Sequence, residues 1–224
     1  MRHFILFSLM LALTVVLSSC ESSEPMTDLT KMIEHAGLHY APEQTPPYTG
    51  VAASFYHNEQ MRKRVVYLNG KEHGPTASWY ESGQLQSEGR YTEGTSDSLW
   101  RWYDKDGNKR VEVVFDHGKK TGIETQWYPN GQEKFITTYS DEGKQTGTHK
   151  GWYENGQLKF VTSYVDGFRD SLYVAWFENG QKRSQANYVK GDIVGTVMQW
   201  HEDGRVKSKW EYEDGKPVHN ANAN

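Results

Sequence analysis

The chain has 224 residues, 24% of them charged, with a formal net charge of −4. It therefore lacks the basic excess that phosphate backbones demand, which excludes nucleic acid as the main partner. A single cysteine excludes an internal disulfide and an all-cysteine metal site within one chain, and 13% aromatics with 21 Gly favour short strands and tight turns over helices on an aliphatic core.

Residues 1–19 read as a secretory signal. Met1-Arg2-His3 is a short basic start, Phe4 to Leu17 is apolar apart from Ser8 and Thr14, and small residues follow. The apolar stretch is shorter than the roughly 20 residues that a membrane-spanning helix needs. Leu17-Ser18-Ser19-Cys20 resembles the bacterial lipobox. The resemblance implies that Cys20 is lipidated and becomes the new N-terminus, anchored by acyl chains that contribute about 0.8 kcal/mol per buried CH₂.

Residues 20–47 are expected to be a tether with a short helix. Glu21 to Pro25 is polar; Asp28 or Thr27 can cap a helix that shows Leu29, Met32, Ile33 and Ala36 on one face and ends at Gly37. Such a helix would cover the open end of a repeat array. Ala41 to Pro47 carries three prolines and reads as a linker.

From Tyr48 the chain repeats every 24 or 25 residues. Turn glycines stand at 83, 107, 131, 156, 180 and 204, aromatics at 67, 91, 115, 139, 164, 188 and 212, and a second glycine column at 70, 94, 118, 143, 167, 191 and 215. Three registered columns establish repetition. Asn-Gly or Asp-Gly between aromatic or β-branched stretches predicts a hairpin with a type I′ turn, positive φ at both central residues. The second column turns the chain toward the next unit. The fold expected is all-β: about seven tandem hairpins in an elongated antiparallel meander over 48–217, about 65 Å long at ~4.8 Å per strand, with residues 218–224 a disordered tail.

Period-two alternation assigns faces. Phe135, Thr137 and Tyr139, like Phe160, Thr162 and Tyr164, form a face expected to be buried. Three residues after each turn glycine stands an outward column of Gln86, Arg110, Lys134, Lys159, Arg183 and Lys207. Before the turn, Trp79, Trp102, Trp127, Trp152, Trp176 and Trp200 form a ladder, with Tyr80, Tyr103, Tyr128, Tyr153, Phe177 and His201 expected on the opposite face. The unit around Gly107 carries one extra residue before the glycine. A degenerate first copy runs through Phe55-Tyr56-His57-Asn58-Glu59-Gln60.

The core Trp152-Tyr153-Glu154-Asn155-Gly156-Gln157-Leu158-Lys159, followed by Tyr164 and Gly167, resembles the MORN-repeat-variant family, and the resemblance covers roughly residues 48–217. It implies single-layer hairpin arrays associated with protein contacts, scaffolding and sometimes lipid contact. Bacterial members are often labelled antitoxins, a role the export signal argues against.

No catalytic, metal or cofactor constellation is legible. The 9 histidines show no metal-ligand spacing and read as solvated turn or surface groups. Glu81, Asp104, Glu154, Glu178 and Glu202 follow the repeat instead of breaking it, as a catalytic pair would. The tryptophan and basic columns have two readings: ladders that hold the sheet, or a repeated recognition platform. The expectation is a non-enzymatic lipoprotein of the cell envelope, held at the outer membrane on its periplasmic or surface side, acting as a scaffold or adaptor for an envelope protein. The alternatives are a glycan- or lipid-binding surface protein using the aromatic ladder, and an antitoxin or immunity protein.

Overall fold

The computed structural model describes residues 26–220. The expected signal peptide and the lipidation site Cys20 lie outside the described residues, as do residues 221–224.

Seven hairpins run in sequence. They are β4 (Gly50–Phe55) with β5 (Met61–Leu68), then the split strand β6 (Lys71–Glu72) and β7 (Gly74–Trp79) with β8 (Leu85–Thr92), then β9 (Thr95–Tyr103) with β10 (Lys109–Asp116). The fourth and fifth are β11 (Lys119–Trp127) with β12 (Glu133–Tyr139) and β13 (Gln145–Trp152) with β14 (Leu158–Val165). The last two are β15 (Phe168–Trp176) with β16 (Lys182–Val189) and β17 (Asp192–Trp200) with β18 (Val206–Glu213), after which β19 (Lys216–Asn220) closes the edge. Each strand pairs antiparallel with the next in the chain, so the expected meander is borne out. Residues 218–220, expected in the disordered tail, instead extend β19 along β18.

The short N-terminal helix is not formed. β1 (Thr27–Asp28) lies parallel to β4, a 3-10 turn follows over Leu29–Lys31, and β2 (Ile33–His35) pairs with β3 (Leu38–Tyr40). Ala36 and Gly37 both have positive φ and make the β2–β3 turn, which no right-handed helix can contain. The apolar spacing misleads because a 3-10 turn also brings residues three apart together. Leu29 and Met32 do share a face, and it packs on the buried cluster of Ala41, Tyr48, Ala52, Val65 and Tyr67. Burial, with the Glu72 carboxylate adding to it, pushes the Tyr67 phenol up to about 12. Residues 26–48 thus cover the first unit, as a terminal cap must where one face has no neighbouring repeat.

The first turn column does not take the type I′ geometry expected of it. At Tyr80-Glu81-Ser82-Gly83 the Gly83 N–H donates to the Tyr80 carbonyl at 2.8 Å and the Tyr80 N–H to the Gln84 carbonyl at 2.8 Å. Among the residues of that turn only Gly83 has positive φ. This is a type I turn with a glycine bulge, not the expected type I′. Type I′ geometry is found instead at six of the seven second-column turns, where Asn69-Gly70, Glu93-Gly94, His117-Gly118, Asp166-Gly167, Lys190-Gly191 and Asp214-Gly215 have positive φ at both residues, while Ser140 to Gly143 repeats the type I turn with a glycine bulge.

Asparagine has a different use in the first column. Asn130 Oδ1 accepts from the Gln132 N–H at 3.0 Å, and its Nδ2 donates to the Glu154 carbonyl of the next unit at 2.9 Å. Asn58, Asn155 and Asn179 repeat both bonds. The seventh unit carries Asp203 in this place, which accepts from the Arg205 N–H at 3.0 Å but cannot donate. In the first unit Glu59 takes the glycine place at φ 65°. A side chain in that conformation costs about 1 kcal/mol. Glu59→Gly is therefore expected to raise stability by about 1 kcal/mol in urea unfolding, and no gain would show that the strain is relieved elsewhere.

The expected buried face is confirmed at its centre. The residue six after the turn position is Val65, Gly89, Val113, Thr137, Thr162, Ala186 and Trp210 in successive units. Its cross-strand partners are Ala52, Thr76, Trp100, Glu124, His149, Tyr173 and Val197. Val65, Val113, Thr162 and Ala186 are buried. His149, expected as a solvated group, is buried here: its ring stacks on Tyr164 at 4.4 Å and its Nε2 lies 3.2 Å from the carbonyls of Thr138 and Thr146. Burial pushes its pKa down.

Candidate interaction surface

Sorting structural columns from free ones locates the surface. Tyr56 Oη donates to the Trp79 carbonyl at 2.9 Å, Tyr80 Oη to the Tyr103 carbonyl at 2.8 Å, Tyr128 Oη to the Trp152 carbonyl at 3.0 Å and Tyr153 Oη to the Trp176 carbonyl at 2.9 Å. Each tyrosine of this column therefore stitches its unit to the next. Phe177 stands in the same place without a hydroxyl. Phe177→Tyr is expected to reach the Trp200 carbonyl and add about 1 kcal/mol of stability, read as a higher midpoint in urea unfolding; an unchanged midpoint would rule the stitch out as a stabilising contact.

The extra residue before Gly107 shifts the third unit by one place. Its turn closes at Asp104, where the other units close at tyrosine, phenylalanine or histidine. Tyr103 consequently occupies the tryptophan place, and Trp102 moves to the buried face, stacked on Trp100 at 5.7 Å. The tryptophan ladder is thus Trp79, Trp127, Trp152, Trp176 and Trp200, interrupted by Tyr103. Because Asp104 has displaced the stitching tyrosine, Arg110 Nε donates to the Trp127 carbonyl at 3.0 Å, and its Nη1 lies 3.4 Å from Asp104.

Two lysines of the basic column lie on rings of their own units. Lys134 Nζ is 5.4 Å from the Tyr128 centroid and Lys159 Nζ 5.2 Å from that of Tyr153. Arg62 over Tyr56 at 5.9 Å continues the column into the first unit, where the missing turn glycine hides it from a sequence alignment of the units. Arg183, Trp200 and Lys207 come together, with Phe177 and Gln199, around a depression of about 270 Å³.

A larger groove, about 480 Å³, lies on the outer face of the first three units. Across it runs one row of cross-strand neighbours: Arg64 beside Ala77, Ala77 beside Glu88, Glu88 beside Arg101 and Arg101 beside Glu112. Ala77 and Pro75 are short, so the long side chains on either side stand as walls. Pro75, Ala77 and Leu99 contribute apolar surface, and Trp79 and Arg90 complete the lining. Arg101 is already committed: its Nε donates to Glu112 at 2.8 Å and its Nη1 to Glu88 at 3.2 Å, and its hydrogen bond holds Glu112 below the usual carboxylate range. Neither Arg64 nor Arg90 closes an ion pair among the described residues; Asp97, opposite Arg90 on β9, feels its charge but accepts its hydrogen bond from Thr92 Oγ1 at 2.8 Å instead. Of the groove residues only Trp79 belongs to the columns read from the sequence. Arg64, Arg90 and Arg101 escape that reading because they do not repeat.

Four segments, residues 72–93, 120–141, 145–166 and 169–190, match the family profile described as "MORN repeat variant". The chain is a MORN-repeat-variant protein. The matched segments fall on four of the seven hairpins and run from one second-column turn toward the next. No curated protein matches the MORN-variant chain. Among solved structures, "Crystal structure of GtfA/B complex bound to UDP and GlcNAc" is similar at 14% identity with a TM-score of 0.23, over 51% of this chain and 22% of that one. The chain spans about a fifth of that structure's length.

Proposed function

We propose that this chain is a non-enzymatic, lipid-tethered binding protein of the bacterial cell envelope. In this reading Cys20 carries the anchor, and the MORN-variant array is a scaffold whose first three units receive a partner protein. One observation carries the proposal. In a sheet whose turns, tyrosines and several lysines serve the fold, the groove gathers two guanidiniums that close no ion pair among the described residues, over an apolar floor. Binding sites combine an apolar lining with a few convergent polar groups, and arginine is enriched where binding energy concentrates. The test is retention of envelope proteins on immobilised 21–224. A specific protein should be held by the native sequence and lost by Arg64→Glu/Arg90→Glu; nothing retained from intact envelope would contradict the reading.

A second reading, glycan binding, is favoured by the Phe177–Trp200 depression, where rings and the cations Arg183 and Lys207 meet. Glycan titration followed by tryptophan fluorescence separates the two. A response abolished by Trp200→Ala and untouched by Arg64→Glu would favour the glycan.

A further inference from the structure

We infer that the Arg64–Arg90 groove is a receptor for an extended acidic segment of the partner, with two carboxylates bracketing an apolar residue. This rests on the partner-protein reading above. Arg64 sits beside Ala77 on β7, and Arg90 sits beside Pro75, one strand further and two residues along. Two strand spacings and two residues of rise place their Cα atoms about 12 Å apart, which extended chain covers in about four residues. Pro75, Ala77 and Leu99 lie in the lining with them, an apolar surface suited to one aliphatic side chain, with the Trp79 ring at the edge.

The choice of ligand rests on the donors. A guanidinium presents a planar fork that matches a carboxylate and is weakly hydrated, so it holds charge partners on apolar surface well. A neutral sugar needs mixed donors and acceptors around its hydroxyls. The groove offers Thr76, Ser98 and one carboxylate, and Thr76 Oγ1 already donates to the Arg64 carbonyl at 3.0 Å. Arg101 is already engaged by Glu112 and by Glu88, which also accepts from Tyr103 Oη at 2.8 Å. The ligand's carboxylates therefore belong at Arg64 and Arg90, not at Arg101. The volume suits a short segment; a flat protein face would need about 800 Å² on each partner.

The test uses the mature lipidated chain in detergent against arrayed octapeptides. One pool carries two aspartates four residues apart around a leucine, and the matched pool carries asparagines. The aspartate pool is expected to bind at least about tenfold more tightly, a gap of about 1.4 kcal/mol. Arg64→Glu/Arg90→Glu should remove that preference with an unchanged melting temperature. Arg183→Glu/Lys207→Glu should keep it. Equal binding of the two pools, or a preference that survives in Arg64→Glu/Arg90→Glu, overturns the inference. So does binding of phosphatidylglycerol vesicles through Arg64 and Arg90 with no peptide bound, which would assign the groove to a lipid head group. If envelope capture still depends on Arg64 and Arg90 while the aspartate pool fails, the acidic segment is wrong and the partner reading stands. If envelope capture yields nothing, the partner reading falls by itself.

Discussion

Replacing Gly89 with alanine is expected to destabilise the protein by about 2 kcal/mol or more. The sign runs against propensity. Gly89 is not among the glycines with positive φ, and in a strand alanine is ordinarily the better residue by about 0.5–1 kcal/mol. The space decides otherwise. A Cβ on Gly89 would meet ring atoms of Trp100, which lies across the bare backbone. Trp100 cannot easily move away: its Nε1 donates to the Arg90 carbonyl at 3.2 Å, Tyr91 and Phe115 meet its ring edge-on, and Trp102 stacks on it. In a single-layer sheet such large-over-small contacts replace a second layer of core. Gly151 under Phe160 is the same device further along the array. A double-mutant cycle with Trp100→Ala checks the cause. Strong favourable coupling between the two changes is expected, and additive effects would show that the tryptophan is not what Gly89 accommodates.

Glu124→Ala is the second large effect, expected to cost about 2–3 kcal/mol. Glu124 is 5% exposed on the inner face. Its carboxylate accepts from Lys120 Nζ at 2.7 Å, Gln126 Nε2 at 2.7 Å and Tyr139 Oη at 3.0 Å. Truncation would leave three donors without that acceptor in a half-buried strip. The same carboxylate makes stability depend on pH. Burial pushes its pKa up, but the bonds from Lys120 and Gln126 outweigh that, and it ends below the ordinary value of 4.5. With the folded value depressed, the contribution is complete above the unfolded value and is lost as pH falls through the folded one. Urea midpoints of the native protein and Glu124→Ala should therefore converge below about pH 4. A constant gap from pH 7 to pH 3 would mean the ion is not what stabilises this strip.

The repeat period, the seven units, the antiparallel order and the buried column are legible in the sequence because they are properties of every copy. Thr162, Val113 and Ala186 differ in chemistry yet share a register, and register is what alternation encodes. The turn types are not legible. Asn130 and Asn155 suit a type I′ turn by backbone preference, but their amides satisfy two turns at once in type I geometry, a contact between units that no single hairpin contains. Counting back from Gly107 misplaces Trp102, because it does not show that the added residue lengthens the strand and not the turn. The groove is the least legible. It depends on Pro75 and Ala77 being short beside Arg64, Glu88 and Arg101, residues from different units that meet only through cross-strand register. A search for what recurs finds the fold, whereas a binding site in an array is built from what one unit does differently.

Site-directed photocrosslinking in cells tests the groove as the partner's seat most directly. A photoreactive residue at Ala77 or Leu99 is expected to give an adduct with one envelope protein, lost on Arg64→Glu/Arg90→Glu. The same residue at Thr148 or Ser163, at the middle of the array, should give none. Adducts of equal strength along the whole array, or adducts confined to its middle and far end, would contradict a binding site in the first three units.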